Sequence, residues 1–156
     1  MGKATVGQEA AGSPAKALSV LSAQRTLHDI GAHRALGESL RRLGHRPLEV
    51  VGIWRERREL AWQVTGMSDA TAVMLGRRFG QEAVVANGTL YYLEPAGPGL
   101  LRAQELTGVT WSAPDDLGGA CTMLGPGLAW AGVLGPARLV GDPSLPLLGP
   151  APRQRS

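Results

Sequence analysis

The sequence AVVANGTLYYL, residues 83–93, carries the strongest β-hairpin signal in the chain. Asn87 and Gly88 both tolerate the positive φ angles of a type I′ turn, and they separate two apolar runs. The pattern predicts one strand over Ala83–Ala86 and another over Thr89–Leu93. This hairpin is a reference point for placing the elements that precede it.

Two amphipathic helices are predicted before the hairpin. Apolar residues recur at steps of three and four from Ile30 to Leu43, with Asp29 at the N-cap position and Gly44 after the last turn. A second stripe follows Ser68, which is predicted to cap it, and stops before Gly80. The predicted apolar faces consist of Ile30, His33, Leu36, Leu40 and Leu43 in the first helix, and Ala72, Leu75 and Phe79 in the second.

Three more strands are predicted from β-branched, aromatic and alternating residues. They cover Leu18–Ala23, Pro47–Trp54 and Leu60–Val64, and the charged Arg55–Arg58 segment is predicted to form the turn between the last two. The order β-α-β-β-α-β with one appended strand predicts an α+β fold. Its expected form is a split βαβ (ferredoxin-like) sheet with two helices on one face.

Glycine and proline content divides the chain into three predicted parts. Residues 1–17 are expected to be a flexible leader, and residues 18–94 the α+β domain. From residue 95 onward, repeated Gly-Pro pairs predict an irregular C-terminal extension, residues 95–156, with disorder from about residue 143.

The composition limits the class of protein. With 44% hydrophobic and 19% charged residues in 156, a single globular domain is expected. Cys121 is the one cysteine, so no intramolecular disulfide or cysteine-rich zinc site can form, and a reducing, cytoplasmic location is expected. No apolar run reaches the roughly 20 residues that span a bilayer, so no membrane association is predicted.

Arginine dominates the positive charge of the predicted domain. Between Arg25 and Arg78 there are ten arginines against six acidic residues, within a chain of net charge +3. Because split βαβ sheets are common in RNA-binding modules, nucleic-acid binding is one hypothesis. Its residues would be Arg55, Arg57, Arg58 and Trp62.

Several motifs resemble an uncharacterised bacterial and phage family catalogued as domain of unknown function 3293. They are Gly52-Ile-Trp, Glu59-Leu-Ala-Trp-Gln-Val64 and Leu75-Gly-Arg-Arg-Phe-Gly-Gln-Glu-Ala-Val-Val85. The resemblance covers about half the chain and implies a Ser-Ala first strand, here Ser22-Ala23, and a Phe-Gly-Gln helix end. Gln24-Arg25 replaces the Asn-Pro of typical members. The resemblance supports the fold and implies no activity.

Candidate ligand-binding residues are Ser22, Glu59 and Gln81. Gln81 follows a helix end, where its amide could bind a ligand in a groove, although a role in fixing the local turn is the more common one. Glu59 could act as a general base if buried, and as an exposed carboxylate it would be one charge of the hairpin. Together they give a second alternative, a small enzyme.

No metal or cofactor is predicted. His28 and His33 are five residues apart, which places them poorly on one helical face, and His45 lies beyond the helix. Since no catalytic motif is evident, the leading hypothesis is a non-enzymatic binding or regulatory module. Its expected partner is another protein, or a second copy engaged through the C-terminal extension.

Overall fold

The computed structural model describes residues 18–23, 29–54, 57–112, 121–123 and 129–145. In these residues there are two helices, α1 (Ile30–Arg42) and α2 (Asp69–Arg78). The strands are β1 (Leu18–Ser22), β2 (Leu48–Trp54), β3 (Arg57–Thr65), β4 (Ala83–Ala86), β5 (Thr89–Gly97), β6 (Leu100–Ser112), β7 (Cys121–Met123), β8 (Ala129–Leu134) and β9 (Arg138–Gly141). The predicted leader and the chain after residue 145 lie outside the described residues.

One curled antiparallel sheet contains all of the described strands. Its order is β5-β4-β1-β3-β2-β7-β8-β6-β9, and β5 also pairs with β6. That additional pairing joins β5, at one end of the order, to β6, so eight strands close into a ring and β9 pairs with β6 beside it. The predicted α+β class is confirmed, with two helices and an antiparallel sheet.

Strand register separates the helix-covered face of the sheet from the opposite face. Residues directly opposite each other in neighbouring strands point to the same face. Leu21 pairs with Trp62 and both belong to the helix-side core, so they mark the covered face. Ser22 pairs with Ala61 at the next position of the register, and these two residues mark the opposite face.

Both helices pack on the covered face. The buried residues of α1 are His33, Leu36, Gly37 and Leu40, and those of α2 are Ala72, Val73, Leu75 and Gly76. Three members of the predicted α1 face are therefore buried. Ile30 and Leu43, predicted to join them, are 36% and 52% exposed because they lie at the two ends of the helix.

The predicted turn and cap residues have the expected backbone. Asn87 and Gly88 have φ angles of 49° and 84°, which confirms the tight hairpin turn. The Thr71 N–H donates to Ser68 Oγ at 3.1 Å, so Ser68 caps α2 as predicted. Asp29 occupies the N-cap position of α1 without a side-chain capping bond.

The segment after Glu94 differs from the irregular extension that its glycines and prolines predicted. β5 continues to Gly97, and β6 begins at Leu100 and runs for 13 residues. Gly99 has a φ angle of +69°, so Pro98 and Gly99 form the turn of another hairpin. Glycine and proline here mark turns between strands, which is why their frequency was misleading.

Candidate functional site

A groove of about 470 Å³ lies between α1 and strands β2 and β3. We call it the α1 groove. Its lining residues are Ile30, His33, Arg34, Glu38 and Arg41 from α1, and Glu49, Leu60 and Trp62 from the two strands. The groove thus combines cations, anions, aromatic rings and aliphatic side chains.

The floor of the α1 groove is a stacked pair of rings. The His33 and Trp62 ring centroids are 4.5 Å apart, with 6° between the planes. The Trp62 Nε1–H donates to the His33 backbone oxygen at 2.8 Å. Gly37 permits this approach, because a Cβ at that position would lie 2.6 Å from Trp62 Cζ2. The indole is therefore held in one place by α1.

His33 also contacts Glu49, the residue beside Trp62 on the neighbouring strand. His33 Nε2 lies 2.7 Å from Glu49 Oε2, and the two side chains are 3% and 54% exposed. His33 Nδ1 is buried without a hydrogen-bond partner among the described residues. We assign the proton to Nε2, which donates to the carboxylate, because a proton on Nδ1 would have no acceptor there.

The accessible group of this pair is the carboxylate. In catalytic triads of the serine-protease type, the carboxylate is buried and orients an imidazole that reaches the substrate. Here the imidazole is buried and orients an exposed carboxylate. The arrangement is therefore suited to presenting Glu49 as a hydrogen-bond acceptor.

Two arginines on the rim differ in their contacts. Arg41 lies 3.6 Å from Glu38, and its guanidinium is 5.3 Å from the centre of the Trp62 ring. Arg34 is exposed and has no hydrogen bond or ion pair within the described part of the chain. The groove therefore presents one guanidinium without a partner.

The predicted ligand-binding residues occupy different places. Ser22 and Glu59 share the face opposite the helices, since Ser22 pairs with Ala61 and Glu59 lies two residues before Ala61. The Ser22 hydroxyl donates to the Leu60 oxygen at 2.9 Å. Gln81 lies between α2 and β4, and its amide makes a long 3.5 Å hydrogen bond to the Phe79 oxygen. None of the three residues lines the α1 groove.

The residues of the nucleic-acid hypothesis are only partly described. Arg55 lies outside the described residues, as does the side chain of Arg57. Arg58 is exposed on β3, on the same covered face as Trp62. Trp62 is 7% exposed and one face of its ring is stacked on His33, so little of the ring is open to a nucleic-acid base. Nucleic-acid binding stays a prediction.

A polar network fixes the start of α2 to the β4–β5 hairpin. The Tyr91 hydroxyl donates to Asp69 Oδ2 at 2.5 Å. Asn87 Nδ2 donates to both Asp69 Oδ1 and the Met67 oxygen, each at 2.6 Å. Burial, together with the hydrogen bond to Asp69, raises the pKa of the Tyr91 hydroxyl well above its usual range. All of these groups are engaged within the fold.

A second polar network fixes the end of α2 to the chain after β9. Arg77 Nη2 lies 2.5 Å from Asp142 Oδ2, and Arg77 Nη1 donates to Ser144 Oγ at 2.8 Å. Burial alone would raise the pKa of Asp142, but the hydrogen bonds from Arg77 and Ser144 lower it overall. Asp142 to Leu145, where disorder was predicted to begin, thus form an anchored turn.

Among the described residues, neither a metal-binding cluster nor a membrane-spanning helix is present. Within residues 18–145, less the gaps given above, no group of three or more histidine, cysteine, aspartate or glutamate side chains could hold a metal ion. Neither α1 nor α2 is long and apolar enough to cross a membrane.

Glu49 was not singled out from the sequence, and His33 was placed on an apolar helix face and judged a poor metal ligand. The two residues are 16 positions apart, and they meet because α1 packs over the pairing of Glu49 with Trp62. One available signal was the charged residue in an otherwise apolar strand, Leu48–Trp54. A histidine on the facing helix is a natural partner for such a carboxylate.

Residues 22–84 match the family model described as "Protein of unknown function (DUF3293)". This match confirms the resemblance inferred from the sequence motifs. The matched segment includes α1, β2, β3, α2 and every residue that lines the α1 groove. No curated protein gives a significant match to the chain.

Proposed function

We propose that this chain, whose residues 22–84 match the DUF3293 family, is a non-enzymatic binding module that recognises a small molecule in its α1 groove. The observation that carries the proposal is the fixed His33–Trp62 floor beneath rim charges that the fold leaves available. A volume of about 470 Å³ also lies in the range of roughly 300–1,000 Å³ typical of small-molecule sites.

Preorganisation supports binding at this place. The Trp62 ring is restrained by the stack on His33, by its hydrogen bond to the His33 oxygen and by close contact with Gly37. A surface that is already ordered loses little conformational entropy when a ligand arrives. The floor of the groove can therefore contact a ligand at a low cost in conformational entropy.

The exposure of Glu49 favours binding over catalysis. A general base usually lies in an enclosed site beside the proton that it removes, and Glu49 is 54% exposed. His33, the other candidate acid or base, has both ring nitrogens enclosed, one by Glu49 and one by the protein interior. Neither group has the environment that proton transfer to a substrate requires.

We also propose that β1-α1-β2-β3-α2-β4 forms a split βαβ unit. β3 lies between β1 and β2 and is antiparallel to both, so the two strands joined by α1 run parallel to each other. β1 lies between β3 and β4 in the same way, and α2 joins that pair. The strand order β4-β1-β3-β2 supports this assignment.

A two-dimensional ¹H–¹⁵N NMR screen tests the binding proposal. Mixtures of amino acids, nucleotides, sugar phosphates and organic acids would be added to the full-length labelled chain. At least one compound should shift the Trp62 Nε1–H signal, assigned with Trp62→Phe, and the backbone signals of α1. Arg34→Gln should reduce that response, whereas Arg42→Gln, on α1 outside the groove, should not. If no compound moves the groove signals, the proposal fails.

A further inference from the structure

We infer that the α1 groove recognises an α-amino acid with an apolar side chain, bound as its zwitterion. This inference rests on the binding function proposed above and adds the class of ligand. It follows from three chemically different features of the groove: a guanidinium without a partner, a carboxylate oriented by histidine, and aliphatic side chains.

Arg34 provides the site for the ligand carboxylate. Its guanidinium is exposed and lines the groove, and the ion pair of its neighbour Arg41 with Glu38 leaves Arg34 as the available cation. A guanidinium matches a carboxylate in charge and in geometry, because two parallel N–H groups can donate to two oxygens.

Glu49 provides the site for the ligand ammonium group. His33 occupies Oε2, and the other carboxylate oxygen has no partner among the described residues. The hydrogen bond from a buried imidazole fixes the rotamer of an exposed carboxylate, which would otherwise lose entropy on binding. An ammonium group, with three donors, is a suitable partner for that oxygen.

Ile30 and Leu60 give the groove its apolar part. Ile30 comes from the first turn of α1 and Leu60 from β3, so they approach the groove from its two walls. A branched aliphatic side chain placed against them would be removed from water, which is the main source of affinity for apolar groups. The amino acid would then be held at three points.

The rim also disfavours a polyanion. Glu38 and Glu49 both line the groove, so a nucleotide or nucleic-acid phosphate beside Arg34 would also approach carboxylates. Like charges in proximity are unfavourable, whereas a zwitterion pairs each charge with its opposite.

The test is titration of the full-length chain with L-leucine, followed by the Trp62 Nε1–H signal. Three analogues each lack one feature: leucinamide the carboxylate, N-acetyl-leucine the ammonium group, and glycine the side chain. Each is expected to bind about tenfold more weakly or worse, since charge-assisted hydrogen bonds and apolar burial each contribute at least that factor. Leucyl-glycine and glycyl-leucine, which separate the charges, distinguish a free amino acid from a peptide end and should also bind more weakly.

Variants that each remove one charge assign the two groups, with controls that remove the same charge elsewhere. In Arg34→Gln, L-leucine and leucinamide should bind equally weakly, because the partner of the carboxylate is gone. In Glu49→Gln, L-leucine and N-acetyl-leucine should bind with equal affinity, because the partner of the ammonium group is gone. Arg42→Gln and Glu94→Gln, both at exposed positions outside the groove, should bind L-leucine as the unmodified chain does.

The outcomes separate this inference from the binding function. If amino acids leave the groove signals unchanged while another compound of the screen shifts them, the ligand class is wrong and the binding function stands. If nothing in the screen shifts them, both are wrong. Unchanged affinity for L-leucine in Arg34→Gln and Glu49→Gln would also overturn the inference.

Discussion

Helices α1 and α2 cover the same face of one sheet, yet they contact it through different chemistry. The buried residues of α2 are Ala72, Val73, Leu75 and Gly76, which are all apolar. The buried set of α1 includes His33, which stacks on Trp62 and hydrogen-bonds to Glu49. Polar side chains instead hold the two ends of α2, through Asp69 and Arg77.

This difference separates stability from recognition. The apolar contact of α2 with the sheet, with polar anchors at both ends of the helix, stabilises the fold and leaves little for a ligand to contact. A contact that includes a buried histidine and an exposed carboxylate also presents polar groups in a groove. The four predictions below test whether α2 acts mainly in stability and the polar edge of α1 mainly in binding.

The largest effect on the free energy of unfolding is expected for Leu75→Ala, in the apolar contact of α2 with the sheet. Leu75 is 1% exposed, and removing a buried leucine side chain typically costs about 2–5 kcal/mol through lost burial and the cavity left behind. Urea unfolding followed by circular dichroism would measure the loss. Met74→Ala is the matched control, because Met74 is 42% exposed and should change stability by less than about 0.5 kcal/mol. Equal losses of stability in the two variants would contradict a main role of the apolar contact of α2 in stability.

The anchor at the end of α2 should make stability depend on pH. Because the pKa of Asp142 is lowered in the folded state, its contribution is complete above its unfolded pKa of about 3.9 and disappears as pH falls through the folded value. Asp142→Asn should therefore cost about 1.5–3 kcal/mol near neutral pH. The difference from the unmodified chain should narrow below about pH 4, whereas Glu94→Gln should show no such cost. A constant difference down to pH 2 would count against the Arg77–Asp142 anchor.

The glycines at the two closest helix–sheet approaches should respond alike in stability and differently in structure. A Cβ at Gly76 would lie 2.5 Å from Val84 Cγ1, and one at Gly37 would lie 2.6 Å from Trp62 Cζ2. Overpacking costs about 1–3 kcal/mol and should exceed the roughly 1 kcal/mol that alanine gains over glycine in a helix. Gly76→Ala and Gly37→Ala should thus lower the thermal midpoint.

Gly31→Ala is the control, since a Cβ there has no heavy atom within 4 Å and alanine should stabilise the helix. Gly37→Ala, unlike Gly76→Ala, should also shift the Trp62 Nε1–H signal, because a Cβ at Gly37 meets the indole and one at Gly76 meets Val84 and Leu93. A shift of that signal in Gly76→Ala would show that the two contacts are not independent.

The smallest effect on stability is expected for Glu49→Gln. The amide oxygen can still accept the hydrogen bond from His33 Nε2, and exchanging a charged acceptor for a neutral one should cost about 1 kcal/mol. Denaturant unfolding of Glu49→Gln beside Glu94→Gln would measure it. A loss above about 2 kcal/mol would make Glu49 a structural residue and remove the contrast between the helices.

The fold was predictable where local chemistry decides the structure. Asn87-Gly88 and Ser68 defined a turn and a helix start, because positive φ angles and capping depend on few neighbouring residues. Gly97-Pro-Gly99 was ambiguous, since the same residues end regular structure or reverse a strand. Only the partner strands of the ring decide between these outcomes.

The α1 groove was less predictable because its parts come together through tertiary packing. His33 was placed correctly on the sheet-facing side of its helix, but its periodicity resembles that of Leu36 and Leu40. Glu49 and Trp62 are adjacent only through strand register, and Gly37 is important only because an indole lies against it. These relations between distant residues leave no local pattern in one sequence.

The closed ring of strands also limits how the chain can be divided. The family match ends at residue 84, before β5 and β6 complete the ring. A polypeptide cut after Glu94 would leave β2 without β7 and β5 without β6, so two strand edges would lack their hydrogen-bond partners. Such edges pair readily with other chains. We therefore expect the transferable unit, for grafting the groove into another protein, to extend at least to Leu145.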